Sequence, residues 1–338
     1  MTRRERVIAA VRHEETDQVP WNLMWVPAIG DRLAEHFGTT HLHDAVGNHI
    51  YIVAGAARKP LYADPAEYGP TITDDFGVVW ETTTRDRGHV LEYPLTEPTL
   101  RGSDFPDPDA PGRFDGLAEQ VARHPDMFVA GLAGDLWERA TFMRPLGELL
   151  VDLYDHPRFV HELLDRICDY DLATLARLME LPLDGVFISD DYGNQRQLAM
   201  SPGHWREFVR PRLARILDLA HSRGLVTMLH SCGCVREIVP DLIEIGLDVL
   251  HPIQPEALDV FDLKREYGRD LALWGGISTQ HTLPRGTPED VRAEVREKAW
   301  RLGEGGGYIL EPGITIQEDV PIENVLALIN EAREYQRG

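Results

Sequence analysis

The sequence of 338 residues is poor in lysine and contains no long apolar run. Its three lysines leave arginine to supply nearly all of the positive charge, and the formal net charge is -22. Such an acidic surface argues against binding to nucleic acid or to anionic membranes, because both need a basic face. No apolar run approaches the roughly 18 residues that a membrane span requires.

Cysteine is also scarce, since the chain has only Cys168, Cys232 and Cys234. No apolar segment typical of a secretion signal follows Met1. A small, odd number of cysteines without such a signal predicts reduced thiols and a cytoplasmic protein. The apolar share of 43% is nevertheless enough to build a sizeable core.

From about residue 125, short apolar runs alternate with long amphipathic segments. The predicted strands are Met127–Leu132, Gly185–Ser189, Leu225–Leu229, Asp248–Ile253, Leu271–Gly276 and Tyr308–Leu310. Strand–helix alternation of this kind predicts an α/β fold with a parallel sheet that is buried on both faces. The chain length favours a (β/α)8 TIM barrel, and no G-x-G-x-x-G follows a strand to favour an open doubly wound sheet.

The first third of the chain has a different organisation. We expect residues 1–120 to form an N-terminal helical and hairpin elaboration plus the first strand, and residues 121–338 to form the main repeats of the same domain. The predicted elements are a helix from the capping box at Thr2 to about His13, a strand at Trp21–Pro27, short helices across 31–60, a β-hairpin at Asp74–Thr84 and a loop at Arg101–Asp115.

Polar residues flanked by glycine follow every predicted strand of the main repeats. In a barrel the active site lies at the carboxyl ends of the strands. Loops are generally polar, but six such loops in register favour a shared active-site rim. The residues at or just after the strand ends include Trp137, Glu138, Asp190, Asp191, Tyr192, His230, Cys232, Cys234, His251, Gln254 and Glu311.

The spacing His230-x-Cys232 is the sharpest of these features. Residues i and i+2 of an extended segment point to the same side, so the imidazole and the thiolate can reach one ion. Nitrogen and sulfur ligands together select zinc, which needs at least one further protein ligand. The residues leave that ligand open among Cys234, Glu311, Asp191 and His251. The alternative is a strand-end histidine beside a small buried cysteine.

The pair Asp190-Asp191 is the second candidate constellation. Neighbours on a strand point to opposite sides, so one carboxylate faces the barrel mouth while the other caps a helix or bonds a neighbouring strand. The inward carboxylate is a candidate acid, base or ligand, and a solvated loop pair is the alternative. Trp25 and Trp137 lie near predicted strand ends, where they form either pocket wall or core.

Together these motifs resemble the uroporphyrinogen decarboxylase superfamily. The resemblance rests on Asp17-x-Val19-Pro20, His230-x-Cys232-Gly233, Leu273–Ser278 and Pro321-x-Glu323-Asn324. The decarboxylases of this superfamily carry an Arg-Gln-Ala-Gly-Arg run after the first strand, and residues 21–27 lack those arginines. The chain is therefore more similar to the methylcobamide:coenzyme M methyltransferase-like branch.

That branch implies a zinc site of His230, Cys232 and a cysteine near the last strand. The third position falls at about Ile314, which cannot bind metal, so Glu311 is the expected substitute, with Cys234 as an alternative. The resemblance implies a zinc-dependent enzyme that moves a methyl group between a corrinoid or small-molecule donor and a thiol. A corrinoid protein is an expected partner, and the chain is expected to be a monomer or a homodimer.

Within this interpretation the remaining candidates take two roles. The predicted catalytic residues are Asp191, Glu138 and Tyr192, and the predicted substrate-binding residues are Trp25, Asp190, Gln254 and Trp137. A metal-free decarboxylase or lyase on the same barrel is an alternative function, carried by Asp191 with Arg139 or Arg196. A corrinoid- or small-molecule-binding protein without catalysis is another.

Overall fold

The computed structural model describes residues 1–335. Its strands are β1 (Ile50–Val53), β2 (Thr71–Thr73), β3 (Val79–Glu81), β4 (Val90–Glu92), β5 (Phe128–Gly134), β6 (Gly185–Ser189), β7 (Val226–His230), β8 (Val249–Ile253), β9 (Ala272–Ile277) and β10 (Tyr308–Pro312). Its helices are α1 (Arg3–Val11), α2 (Pro27–Phe37), α3 (Leu42–Val46), α4 (Pro65–Tyr68), α5 (Leu117–Ala122), α6 (Trp137–Met143), α7 (Leu146–Asp155), α8 (Pro157–Leu178), α9 (Pro202–His204), α10 (Arg210–His221), α11 (Val239–Glu244), α12 (Val260–Tyr267), α13 (Thr282–Arg285), α14 (Pro288–Leu302) and α15 (Ile322–Glu334).

Seven strands form a curled parallel sheet in the order β1-β5-β6-β7-β8-β9-β10. The six strands predicted after residue 125 are all present, within one or two residues at most of their ends. Every residue of β8, β9 and β10 is buried, as expected for strands covered on both faces. An inner apolar cluster, including Phe187, Met228 and Trp274, fills the space enclosed by the sheet.

Residues 20–22 connect the two edges of this sheet. The backbone N–H of Asn22 donates to the carbonyl of Leu310 at 3.0 Å, and the N–H of Leu310 donates to the carbonyl of Pro20 at 2.9 Å. On the other side, the N–H of His49 donates to the carbonyl of Trp21 at 3.1 Å. The segment thus takes the position of an eighth strand, in keeping with a TIM-barrel-like fold.

The predicted strand at Trp21–Pro27 is wrong in extent. Only isolated bridges form, at Trp21 and Trp25, and α2 already begins at Pro27. The reason lies in Asn48, whose side chain accepts from the N–H of Leu23 at 3.0 Å and donates to its carbonyl at 2.9 Å. A side-chain amide therefore replaces a ladder partner at this point.

The short helices predicted across 31–60 are only partly correct. Helices α2 and α3 are present, but Ile50–Val53 forms β1, whose run of β-branched and aromatic residues suits a strand. The hairpin predicted at Asp74–Thr84 is shifted, since its first strand is Thr71–Thr73 and a third strand, β4, follows. Asp74 lies in the turn, where its side chain accepts from the N–H groups of Phe76 and Val78. Across residues 1–335, no helix is both long and apolar enough to cross a membrane.

Candidate active site

Three potential ligand side chains meet at the carboxyl ends of β6 and β7. The Nε2 atom of His230 lies 3.4 Å from Sγ of Cys232 and 3.4 Å from Oδ1 of Asp191. One ligand atom from each residue lies within 4.8 Å of the other two. The sheet register explains the meeting, because Ser189 pairs with His230, and Asp191 follows two residues after Ser189.

The loop after β7 is held in place by the same carboxylate. Oδ1 of Asp191 accepts a hydrogen bond of 2.8 Å from the backbone N–H of Cys232. Gly233 then takes a φ of 82°, with no room for a Cβ, because that atom would lie 2.6 Å from the carbonyl oxygen of Asn194. This turn keeps the Cys232 thiol beside the His230 ring.

These separations fit the donor set of a zinc ion. Zinc bonds to nitrogen and oxygen are about 2.0–2.2 Å long and bonds to sulfur about 2.3 Å, so tetrahedral ligand atoms lie roughly 3.3–3.6 Å apart. Both distances from the His230 ring are in this range. Burial raises the pKa of Asp191, but its hydrogen bond to His230 and the charge of that ring outweigh burial and hold the pKa below its usual value. Burial lowers the pKa of His230, but the neighbouring Cys232 and Asp191 outweigh burial and raise it well above its usual value, so the metal-free site holds an ionised carboxylate beside a protonated imidazole. Zinc binding would release the imidazole proton, as metal binding to histidine does.

Glu311 lies on the far side of His230 from the other two residues of the site. Nδ1 of His230 is 3.0 Å from Nδ1 of His251, and Nε2 of His251 is 3.6 Å from Oε2 of Glu311. Burial lowers the pKa of His251 well below its usual value, and the His230 ring adds to this, so His251 is neutral. Glu311, the expected third ligand, therefore contacts His251. Asp191 lies beside His230 and Cys232 in the position expected for that ligand.

The two neighbouring aspartates separate as alternation predicts. Asp190 is fully buried, and its carboxyl group accepts from the backbone N–H groups of Trp137 at 3.0 Å and Glu138 at 2.6 Å. The Asp190 side chain thus lies at the start of α6 and is not accessible to solvent. Burial raises the pKa of Asp190 to about 8.

Glu138 lies on the first turn of α6 and faces the site side of the helix. Oε1 of Glu138 accepts from Nη1 of Arg87 at 2.6 Å. Burial raises the pKa of Glu138 to about 7, and the negative charge of Asp191 contributes in the same direction. A carboxyl group with a pKa near neutrality is suited to accept and release a proton.

The other predicted residues lie in several places. Gln254 is near the site, because its Oε1 accepts from the N–H of Gly233 at 3.2 Å. Cys234 packs against the main core, while Ile314 is 38% exposed. Neither belongs to the group of ligand atoms around His230.

Three aromatic residues predicted as catalytic or substrate-binding lie in packed surroundings. Tyr192 and Trp137 are fully buried, and the Tyr192 ring packs edge-on against Trp205. Burial raises the pKa of Tyr192 well above its usual value, and the neighbouring Asp190 raises it further. Trp25 packs against His43 with 5.5 Å between ring centroids. The structure places none of the three beside His230.

A cavity of about 290 Å³ opens between the end of β5, α6, α8 and the N-terminal loops. It reaches Glu138 and Ser189, and thus adjoins the site. Lys59, Arg87 and Arg113 line its walls and are not among the residues predicted from the sequence. These residues come from the first third of the chain, where no sequence motif identifies them. Arg87 reaches the cavity through its ion pair with Glu138, which is distant in the sequence.

The profile of the family described as uroporphyrinogen decarboxylase (URO-D) matches residues 76–335. The chain belongs to the uroporphyrinogen decarboxylase family. The resemblance predicted from the motifs is therefore confirmed. A solved structure, described as a methyltransferase from Methanosarcina mazei, superposes with a TM-score of 0.76 at 21% identity and covers 99% of each chain. This likeness shows that the two chains share one fold over nearly their whole length.

Curated relatives fall on both branches of the family. The methylcobamide:CoM methyltransferase MtaA of Methanosarcina barkeri is 29% identical over 204 residues, which are 60% of this chain and 55% of that protein. The uroporphyrinogen decarboxylase of Actinobacillus pleuropneumoniae is 22% identical over 247 residues, 69% of this chain and 67% of that protein. The chain thus spans about half the length of MtaA, and the similarity fits the MtaA-like branch.

Proposed function

We propose that this chain is a zinc-dependent methyltransferase that moves a methyl group from a corrinoid or another small-molecule donor to a thiol. The observation that carries the proposal is the group formed by His230, Cys232 and Asp191, in which the sulfur and the carboxylate oxygen each lie 3.4 Å from the imidazole nitrogen and all three donor atoms lie within 4.8 Å of one another. The similarity to the methylcobamide:CoM methyltransferase MtaA supports the same reaction class. A corrinoid protein is the proposed partner for the donor.

In this proposal Asp191, together with His230 and Cys232, holds the ion. A zinc ion bound there supplies the positive charge that keeps an incoming thiol deprotonated at neutral pH. His251 orients the His230 ring from its other nitrogen, in the way that outer partners usually fix a ligating histidine. Three protein ligands leave a position for the thiol.

Proton balance assigns a role to Glu138. The bond from sulfur to the methyl group forms as the bond from the methyl group to its donor breaks, and the donor keeps the electron pair. The thiol proton must leave, and Glu138 is the acid–base group at the site whose pKa, raised by burial to about 7, suits its acceptance. Before the transfer, Arg87 pairs with the Glu138 carboxylate that accepts this proton.

The decarboxylase branch supplies the second candidate, a metal-free lyase, since relatives such as the Actinobacillus enzyme carry that name. That function requires a free cation for a substrate carboxylate. Arg139, one of its two proposed carriers, is paired with Asp74 at 3.1 Å and Asp135 at 3.2 Å. Arg196, the other, is exposed. Neither arginine is therefore placed to bind a substrate carboxylate at the site, and a lyase would depend on another arginine of the adjoining cavity, such as Arg113.

Metal analysis of the purified chain tests the proposal. We expect about one zinc ion per chain, and loss of zinc in His230→Ala, Cys232→Ser and Asp191→Ala. Cys234→Ser is the matched control, since this thiol lies two residues away but packs on the core, and it should keep the metal. Unchanged zinc content in the first three variants would refute the site.

A methyl-transfer assay with methylcobalamin and coenzyme M then tests the reaction. Zinc-dependent loss of the methyl group to the thiol is the expected result. Release of carbon dioxide from a carboxylated substrate by zinc-free protein would establish the lyase instead. Ligand binding without either reaction would establish a non-catalytic binding protein.

A further inference from the structure

The cavity beside the site contains several buried polar atoms without hydrogen-bond partners. Among the described residues, no partner exists for Nε of Arg113, the hydroxyl of Tyr170, Oδ2 of Asp171 or Oγ1 of Thr174. All four residues line the same cavity. Tyr170, Asp171 and Thr174 are only 8%, 2% and 3% exposed. Because buried polar groups are normally paired, four unpaired ones around one space indicate a polar occupant.

The unpaired polar atoms of the cavity come mainly from one helix, α8. Tyr170, Asp171 and Thr174 lie on consecutive turns of one face of α8, toward the end of β5. A Cβ at Gly134 would lie 2.0 Å from Oδ1 of Asp171, so the carboxyl group packs directly on the strand backbone. The Arg113 guanidinium stands 5.0 Å from the Tyr170 ring and completes the polar wall.

Phe76, Phe142 and Leu132 add aromatic and apolar surface to the cavity, and the Phe76 ring packs edge-on against Tyr170. Other charged groups of the lining are paired with one another, Arg139 with Asp74 and Asp135 and Arg87 with Glu138. The cavity volume of about 290 Å³ corresponds to roughly ten water molecules at about 30 Å³ each. The occupant therefore has a compact apolar body, one anionic group for Arg113 and a group that can hydrogen-bond to the α8 side chains.

We propose that this cavity binds a small hydroxylated organic acid, with its carboxylate at Arg113 and its hydroxyl at Asp171 and Thr174. Arginine is always charged and pairs well with carboxylates, while the α8 oxygens can accept a hydrogen from the hydroxyl. The cavity reaches Glu138 and Ser189, and Ser189 pairs with His230 in the sheet, so the cavity extends toward the ligand group. As a statement about the substrate, this inference rests on the proposed function. As a statement about binding, it can be tested alone.

Isothermal titration calorimetry of the full chain with three probes tests the inference. The probe 4-hydroxybenzoate carries the ring, the carboxylate and the hydroxyl, whereas benzoate lacks the hydroxyl and phenol lacks the carboxylate. We expect 4-hydroxybenzoate to bind roughly 10-fold more tightly than benzoate and roughly 10- to 100-fold more tightly than phenol. No binding of 4-hydroxybenzoate up to about 10 mM would mean that the cavity holds only water, and would overturn the inference.

Substitutions test which residues contact the carboxylate and the hydroxyl of 4-hydroxybenzoate. Arg113→Gln should weaken 4-hydroxybenzoate by at least about 10-fold and leave phenol unchanged. The matched control is Arg269→Gln, an exposed arginine that precedes β9 at the opposite end of the sheet, and it should change neither affinity. Equal weakening of both probes by Arg113→Gln would refute the carboxylate contact.

Asp171→Leu keeps the approximate shape of the side chain and removes the unpaired oxygen Oδ2. It should weaken 4-hydroxybenzoate and phenol while leaving benzoate unchanged, and it should not lower the melting temperature. Thr174→Val is the second variant, with the same expected pattern. A lower melting temperature with equal loss of all three probes in both variants would show a purely structural role.

One comparison separates this inference from the proposed function. Cys232→Ser should lose zinc and still bind 4-hydroxybenzoate, while Arg113→Gln should bind zinc and lose the probe. A zinc-free wild-type chain that binds the probe would refute the metal site alone. A zinc-loaded chain that does not bind 4-hydroxybenzoate would refute only the proposed ligand of the cavity.

Discussion

Replacing Asp190 by alanine tests how this fold positions its site. The Asp190 carboxyl group is fully buried and accepts two backbone hydrogen bonds at the start of α6. Asp190→Ala leaves both N–H groups without an acceptor in a place that water does not reach. Each unpaired buried N–H costs about 1–3 kcal/mol, so the free energy of unfolding should fall by about 2–4 kcal/mol after partial relaxation of the helix end. The comparison is made at about pH 4, because at higher pH the raised pKa of Asp190 adds a cost of folding that alanine removes.

The chain contains a matched control for this change. Asp259 caps α12 with the same pattern, accepting from the N–H groups of Phe261 at 3.1 Å and Asp262 at 2.9 Å, but it is exposed. Water can replace its carboxylate, so Asp259→Ala should lower the free energy of unfolding by only about 1 kcal/mol.

Equilibrium urea unfolding, followed by circular dichroism in the presence of a chelator, measures both losses without a contribution from metal. Each substitution removes two hydrogen bonds to backbone N–H groups. The difference between the two losses of unfolding free energy is therefore the cost of leaving these N–H groups buried without an acceptor. Equal losses in Asp190→Ala and Asp259→Ala would refute the reasoning.

Three further outcomes follow from other buried groups. Burial lowers the pKa of His49 to about 3. Below pH 6.5 the unfolded chain therefore binds a proton that the folded chain does not, and the free energy of unfolding decreases as the pH is lowered. His49→Phe should remove about 2 kcal/mol of that decrease between pH 6.5 and about pH 5, as measured by urea unfolding. Burial raises the pKa of Cys168 to about 12, so iodoacetamide should label Cys232 in the metal-free native chain and spare Cys168, as read by mass spectrometry; equal labelling would contradict this. Gly233→Ala should abolish zinc binding, because both its φ of 82° and its contact with Asn194 exclude a Cβ, whereas Gly224→Ala, with a φ of 71° and nothing within 4 Å, should leave the metal content unchanged.

The sequence predicted the strands of the main repeats because their signal is local. A strand buried on both faces is a short apolar run, and runs such as Gly185–Ser189 are bounded by turns that the sequence also displays. Near the N terminus the local signal misleads. Residues 20–25 are apolar enough for a strand, but Asn48 takes the ladder hydrogen bonds of Leu23. That contact joins residues 25 positions apart and has no local signature.

The third member of the ligand group shows a different limit. The sequence identifies His230 and Cys232 through their spacing, and it offers Asp191 and Glu311 as further carboxylates at strand ends. The choice between them depends on which strand lies beside β7 and in which register. Strand β6 is one of the two neighbours of β7, and its pairing of Ser189 with His230 brings Asp191 to the ring. Glu311, on β10, instead meets His251.

The alternation of Asp190 and Asp191 links the two chemical groups of the proposed site. Asp191 turns toward His230 and Cys232, and Asp190 turns toward the start of α6, which carries Glu138. One strand end thus sets both the ligand group and the acid–base group. Loss of the Asp191 side chain should therefore remove metal and activity together, whereas loss of the Asp190 side chain should displace Glu138 and lower activity while the metal content stays. The two neighbouring substitutions can thereby separate a defect in metal binding from a defect in proton transfer.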